Sequence, residues 1–413
     1  MEYGLIIIGA GQAAAQCAVK TRDKGFTGSI LVIGAEAYLP YQRPPLSKKY
    51  LSGELAYEEL LIYPESFYNG KNIQFQLNTQ ISQIHPQDNA VETSAGEKLH
   101  YQNLVIATGS RPNQLPESIL PKLDNVFSFR GIDDCHDIQN HFQPDQHLVI
   151  LGGGYIGLEL AAVAKNKGLH VTLLEKSPRI LQRVACEESS TYIRKVHQQH
   201  GVNILENANV ATFMHDAGNL QKIVLDDQQE LPVDLMVVGI GVTANYEQAE
   251  ACGITIQNRA IYVDAQCRTN IQNIYAIGDC TCFELGGQLT RLESVQNANE
   301  QAEIAASAIN QQACSYKPVP WFWSDQFNLK LQISGFARDY NRVYSRIDEA
   351  KATASFWYFY QNHLVAVDAI NDPRAFMLSK KYLGKSVVQA ERIEDLQCEL
   401  KEVFSPQPDK IAG

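Results

Sequence analysis

The chain predicts an α/β protein with two Rossmann-like dinucleotide-binding domains and a C-terminal α+β domain. Three observations lead there. A short apolar strand runs into a glycine-rich turn and a helix at Gly9, the same succession recurs at Gly152, and beyond Lys317 the pattern changes to alternating strand-like segments. A length of 413 residues accommodates roughly two to four domains of ordinary size.

The first element reads Leu5-Ile6-Ile7-Ile8-Gly9-Ala10-Gly11-Gln12-Ala13-Ala14 and continues into an alanine-rich helix. Gly9 permits the tight turn, Gly11 lets backbone N–H groups approach a pyrophosphate, and Ala14 is small enough for the helix to pack on the strand. The next strand, Ser29-Ile30-Leu31-Val32-Ile33, completes the βαβ context that gives such a motif its meaning. Glu36 follows it, two residues later than a strict reading places a ribose ligand. The second element runs His147-Leu148-Val149-Ile150-Leu151 into Gly152, Gly154, Tyr155, Ile156, Gly157 and Glu159. Its following strand, His170-Val171-Thr172-Leu173-Leu174, ends in Glu175. A carboxylate there accepts from adenosine ribose hydroxyls and repels a 2′-phosphate, which favours NADH over NADPH; Lys176 and Arg183 soften that preference. Two complete fingerprints imply two bound nucleotides.

Between and after them lie two further strand ends. Tyr101 to Ile106 closes in Ala107-Thr108-Gly109, where small residues let the chain crowd a flat cofactor. Asn273 to Ile277 closes in Gly278-Asp279, whose carboxylate is suited to a ribityl hydroxyl. The segments Ser355 to Tyr360 and Leu364 to Val367 read as antiparallel strands, with a helix from about Pro373.

Composition narrows the function. Hydrophobic residues at 45% and charged residues at 20% are globular values and argue against disorder. The formal net charge of -11 opposes a general nucleic-acid-binding role, because a phosphate backbone is held by a basic surface. No segment reads as a signal peptide and no apolar run approaches the roughly 18 residues that span a bilayer. A cytoplasmic protein without membrane attachment is expected. Nine cysteines, with none in a Cys-x-x-Cys pair, read as reduced thiols. The ten histidines supply no metal site; His197 and His200 share a helix and are expected at the surface.

With its four glycine-bearing elements in this order, the chain resembles the two-dinucleotide flavoproteins related to glutathione reductase. Three blocks make the resemblance narrower: Pro40-Tyr41-Gln42-Arg43-Pro44-Pro45-Leu46-Ser47-Lys48, Glu293-Ser294-Val295-Gln296-Asn297-Ala298 and Pro320-Trp321-Phe322-Trp323-Ser324-Asp325-Gln326. They are similar to the FAD-dependent ferredoxin reductases of bacterial oxygenase systems, a likeness that covers essentially the whole chain and departs from the relatives at Gln42.

The resemblance implies FAD and NADH as cofactors, with a [2Fe-2S] ferredoxin as electron acceptor. Rubredoxin is the alternative carrier, and a flavoprotein resembling apoptosis-inducing factor that oxidises NADH slowly is a further alternative. It implies an FAD domain formed by residues 1–112 and 240–316, an NAD domain at 113–239, a C-terminal domain at 317–413, and a monomer or weak homodimer. Lys48 is expected beside flavin N5. Glu159 either pairs with Lys48 and touches the nicotinamide amide or satisfies the dipole of the first helical turn. Arg43 and Arg130 are expected on the FAD phosphates, with an interdomain ion pair as the other reading of Arg130. Ser294 and Val295 complete the FAD set, and Gly239 and Gly241 the NAD set. Trp321 and Trp323 are expected to face opposite ways along a strand, with Trp321 toward the cofactor rings. A disulfide reductase of the same superfamily needs a redox cysteine pair, and this chain has none.

Overall fold

The computed structural model describes residues 2–404. It divides into two compact units, one formed by Met1–Asn113 and Val242–Pro318, the other by Gln114–Gly241 and Val319–Gly413.

In the first unit, five parallel strands stand in the order Ile73–Gln76, Ile30–Ile33, Glu2–Ile8, Lys98–Ile106 and Ile274–Ala276. Lys98–Ile106 is shared. Its first residues pair with the antiparallel strand Ala90–Thr93, which continues to Ile81–His85, and its last residues pair with Ile274–Ala276. Both faces of a parallel sheet are covered, and Leu5, Ile7, Val32 and Val105 are accordingly fully buried. Over one face lie the helices Gln12–Asp23 and Val295–Ile309. Ala14, Ala18, Ala302 and Ala305 line their contact, and side chains this small let the two helix backbones approach closely. The strand order reverses between Ile30–Ile33 and Lys98–Ile106, on either side of Glu2–Ile8. That switch point opens a crevice at the carboxyl ends of the strands.

The second unit repeats the plan with Asn203–Leu205, His170–Leu174, His147–Leu151, Leu235–Val238 and Val126–Ser128, again parallel. It also contains an antiparallel sheet in the order Trp321–Gln326, Leu329–Gly335, His363–Ile370, Thr353–Tyr360, Arg342–Asp348. Thr353–Tyr360 is buried on both faces. Trp357 and Phe359 meet the layer of helix Pro373–Tyr382, while the Phe356 ring contacts Tyr192 and the Tyr358 hydroxyl accepts from Cys186 N–H at 2.9 Å. The helix starts at Pro373, as its sequence implies. Asp372 caps it by accepting from Ala375 N–H at 3.0 Å, and a proline in the first turn has no N–H to satisfy.

Candidate functional site

The first fingerprint turn sits where adjacent strand ends converge. Gly9 has a φ of +105°, and a Cβ on it would lie 2.2 Å from the Ala107 carbonyl oxygen, so no side chain fits. Gly9 N–H donates to Ile33 O at 2.7 Å and Ala107 N–H to Ile8 O at 2.8 Å, clamping the turn to the Ala107-Thr108-Gly109 segment. Thr108 donates its hydroxyl to Asn245 O at 2.7 Å, and Gly109 takes a φ of +67°. Gly11 is different: it is the N-cap of helix Gln12–Asp23, nothing lies within 4 Å of its Cβ position, and no side chain caps the helix. A positive helix end left uncapped against open space fits a pyrophosphate.

The second turn is its counterpart. Gly152 has a φ of +118° and a Cβ position 2.3 Å from Gly239 O; its N–H donates to Leu174 O at 2.8 Å, and Gly239 N–H to Leu151 O at 2.7 Å. Gly154, N-cap of helix Tyr155–Asn166, again faces open space without a side-chain cap. A Cβ on Gly157 would lie 2.2 Å from Gly152 O, and buried Ala14 holds the matching place in the first turn. Glu175 accepts from Gly153 N–H at 2.8 Å and Ser177 N–H at 2.7 Å, which fixes its carboxylate at the strand tip beside the turn. Gly241 has a φ of +96°; Ile156 and Arg183 are exposed. The Tyr155 ring stands 5.0 Å from Phe322.

In the first unit Glu36, Tyr41 and Arg43 form one cluster. Arg43 donates to Glu36 and, at 2.8 Å, to the Tyr41 hydroxyl, which donates to Glu36 in turn. Burial works against the Arg43 charge, but Tyr41, Glu36 and Asp279 together outweigh it, and the guanidinium is held above its ordinary pKa. Lys48 follows the turn Pro44–Ser47, half-buried, with its ammonium donating to Pro44 O at 3.2 Å; Lys49 beside it is exposed. Asp279 lies in the turn Gly278–Cys280 and accepts from the Ser110 hydroxyl at 3.3 Å. Ser294 caps helix Val295–Ile309 by accepting from Asn297 N–H at 3.1 Å, and Val295 opens that helix.

Two positioning residues here escaped the sequence reading. Fully buried Gln301 accepts Gly278 N–H at 2.7 Å and so sets the turn that carries Asp279. Its cue was visible as a polar residue set among Ala298, Ala302 and Ala305 on one helix face, one turn after Asn297. Ser110 had no such cue.

In the second unit, half-buried Arg130 leads into helix Ile132–Asn140, where Asp134 accepts its N–H at 2.7 Å. Glu159 is 4% exposed and accepts the Ser324 hydroxyl at 2.6 Å. It lies past the first turn of its helix, so the dipole reading does not apply.

Two expectations are corrected. Trp321 and Trp323 do not face opposite ways: their rings stack with centroids 5.5 Å apart, because residues two apart on a strand share a face. His197 is not at the surface but fully buried, its ring 2.9 Å from Gln326 Oε1, and burial lowers its pKa to about 4. His200, the C-cap of the same helix, is exposed and stacks on Phe327.

Residues 3–302 match the pyridine nucleotide-disulphide oxidoreductase family, and residues 321–404 the reductase C-terminal family. The chain belongs to the pyridine nucleotide-disulphide oxidoreductase family. It is 35% identical over 411 residues to the ferredoxin–NAD(P)+ reductase of a Sphingomonas species, covering 98% of this chain and 99% of that one. It is 34% identical over 372 residues to the rubredoxin–NAD+ reductase of Pseudomonas putida, covering 90% and 96%. In the crystal structure of the covalent putidaredoxin reductase–putidaredoxin complex it matches a chain with a TM-score of 0.92, at 33% identity over 97% of both chains.

Within the family the chain is a member of the FAD-dependent ferredoxin reductase group, an oxidoreductase that works with FAD and NAD(H). The two uncapped glycine turns fit those two dinucleotides. All nine cysteines are free thiols, and burial pushes Cys17 and Cys135 up to about 12, far from the reactive thiolate. Among the described residues no group of three or more His, Cys, Asp or Glu is placed to hold a metal ion, and no helix is long and apolar enough to cross a membrane.

Proposed function

We propose that the chain is an NADH-dependent reductase of a [2Fe-2S] ferredoxin that feeds an oxygenase. The observation that carries this reading is the loop after the second strand. An NADH oxidase or peroxidase of this superfamily that works through a single redox cysteine would carry it there, and Ser47 and Lys48 stand in its place. With no dithiol to store them, electrons taken from NADH leave for an external acceptor. The near full-length similarity to a ferredoxin reductase supports a carrier protein as that acceptor.

In this reading residues 1–112 and 240–316 form the FAD domain, 113–239 the NAD domain and 317–413 the C-terminal domain. FAD held there would supply the redox chemistry, taking one hydride, two electrons, from NADH and passing the electrons on one at a time. The chain supplies binding, orientation and charge. Gly9, Gly11 and Ala14 bring the helix end to the FAD pyrophosphate, with Arg43 and Arg130 as cationic partners and Glu36 for the ribose. Ala107, Thr108, Gly109, Gly278, Asp279, Ser294 and Val295 line the rest of that cofactor. Lys48 places a cation near flavin N5, where it favours the charge that reduction adds. Gly152, Gly154, Tyr155, Ile156, Gly157, Gly239 and Gly241 hold NADH, Glu175 and Arg183 its adenosine end. Glu159 orients the nicotinamide amide, and Trp321 gives the ring an aromatic wall.

Arg338 and Arg342 supply a cationic patch for an acidic carrier, at the end of the antiparallel sheet where Phe359 pairs with Leu364; Lys330 stands at the opposite end, beside Ile370, and does not join it. All three are exposed, and Arg338 and Arg342 are stiffened by stacking on Phe336 and Tyr344. The test is NADH-driven cytochrome c reduction with a panel of two-iron ferredoxins and a rubredoxin. Strong stimulation by one ferredoxin is expected. Stimulation by rubredoxin alone favours the second reading, which the rubredoxin reductase relative supports; no stimulation by any carrier sinks both.

A further inference from the structure

Strand Trp321–Gln326 turns its two faces to different tasks. The odd face carries the stacked tryptophans. The even face meets the fingerprint helix Tyr155–Asn166, where Phe322 meets Tyr155 and Ser324 meets Glu159, and the helix Glu187–Gln199, where Gln326 meets His197. These polar contacts join into one chain. His197 Nε2 lies 2.9 Å from Gln326 Oε1, the Gln326 amide donates to Ser324 Oγ at 3.0 Å, and the Ser324 hydroxyl donates to Glu159 Oε1 at 2.6 Å. His197, Gln326, Ser324 and Glu159 are 0%, 1%, 0% and 4% exposed, so no bulk water substitutes for any link.

The polarity of the chain follows from its end. The Ser324 hydroxyl donates to Glu159, and its oxygen accepts from the Gln326 amide nitrogen. Gln326 Oε1 then faces His197, which must carry its proton on Nε2. The rest of the imidazole agrees. Nδ1 is buried without a hydrogen-bond partner, so this tautomer strands one acceptor, whereas the other would strand an Nδ1–H and set the Nε2 lone pair against Gln326 Oε1. Every donor in the chain points toward Glu159, and aligned bonds of this kind polarise one another in a dry interior.

We propose that Ser324, Gln326 and His197 are positioning residues for hydride transfer, locking the rotamer of Glu159 so that its carboxylate is preorganised for the nicotinamide amide. The proposal rests on the reading of Glu159 as the residue that orients the nicotinamide. A merely structural chain would affect folding stability; a positioning chain must also act through Glu159 on the rate of flavin reduction.

The experiment compares Glu159→Gln, Ser324→Ala, Gln326→Leu and the double variant Glu159→Gln/Ser324→Ala as FAD-loaded proteins. NADH is mixed rapidly with each under anaerobic conditions to separate its dissociation constant from the limiting rate of flavin bleaching. Ser324→Ala and Gln326→Leu are each expected to lower the limiting rate on the order of ten-fold, and the double variant to be no slower than Glu159→Gln. Histidine-selective 15N NMR of the oxidised protein supplies a readout independent of turnover. It should show His197 neutral and protonated on Nε2, with a resonance that moves in both Ser324→Ala and Glu159→Gln. If Glu159→Gln slows bleaching while Ser324→Ala and Gln326→Leu do not, or if the effects of Glu159 and Ser324 add, the proposal is overturned and the reading of Glu159 stands. If Glu159→Gln itself is as fast as wild type, that reading falls and the proposal with it. A His197 protonated on Nδ1 also overturns it.

Discussion

Gly9 and Gly11 look alike in a motif but are required for different reasons, and the difference is measurable. At Gly9 an added methyl meets backbone at 2.2 Å and the φ is positive, so Gly9→Ala should destabilise the apoprotein by about 2 kcal/mol or more. At Gly11 the methyl enters open space. Gly11→Ala should leave apoprotein melting within about 0.5 kcal/mol of wild type and still lose FAD affinity, because the methyl occupies the pyrophosphate's approach. Calorimetry of the two apoproteins with FAD titration checks both; equal losses of stability would contradict the assignment of Gly11 to the cofactor.

A second residue-scale prediction concerns Asp368. Its carboxylate is buried, accepts the Tyr358 hydroxyl, and is pushed by burial from the ordinary 3.8 up to about 6. Between those values the folded protein holds a proton that the unfolded chain has released. Stability therefore falls as pH rises through the window, and the penalty remains above pH 6. Asp368→Asn removes this ionisation. The variant should gain on wild type by about 1 kcal/mol between pH 5 and pH 8. A melting difference that is flat with pH would show that Asp368 ionises normally.

At the scale of elements, the strand–turn–helix units were legible because their information is local: the glycine spacing, the flanking apolar runs and the alanine helix lie within a few residues of one another. The start of the last long helix at Pro373 was legible for the same reason. What could not be read depends on partners far along the chain. The burial of His197 comes from Gln326, 129 residues away, and the Glu159 contact with Ser324 spans 165 residues. Trp321 and Trp323 are the opposite case: the two-residue period of a strand is local, puts them on one face and stacks them, so the expectation that they face opposite ways misapplied information the sequence held. Glu175 joins the local and the functional. It is braced by Gly153 and Ser177 at the tip of its strand, so Glu175→Ala should both raise the KM for NADH and narrow the preference over NADPH. Steady-state kinetics with the two cofactors decide this, and an unchanged ratio would remove Glu175 from cofactor choice.

The whole molecule repeats one device. In each unit a parallel sheet ends in a glycine turn clamped to a neighbouring strand end, by Ala107 in one and Gly239 in the other, and each turn leaves an uncapped helix start. The acidic balance of -11 coexists with the local cations Arg338 and Arg342. Charge reversal at Arg338 and Arg342 should weaken ferredoxin reduction several-fold, most at low ionic strength, while NADH oxidation by ferricyanide is unchanged. Equal losses in both assays would rule out a docking role.

The central claim is that electrons pass from NADH through FAD to a one-electron carrier without entering a protein thiol pair. Anaerobic titration of the FAD-loaded protein tests it directly, following the flavin spectrum first with NADH and then with an oxidised two-iron ferredoxin. The account predicts full bleaching with one NADH per flavin and full reoxidation by two equivalents of ferredoxin. Consumption of a second NADH per flavin, or a flavin that stays reduced in the presence of every carrier, would contradict it.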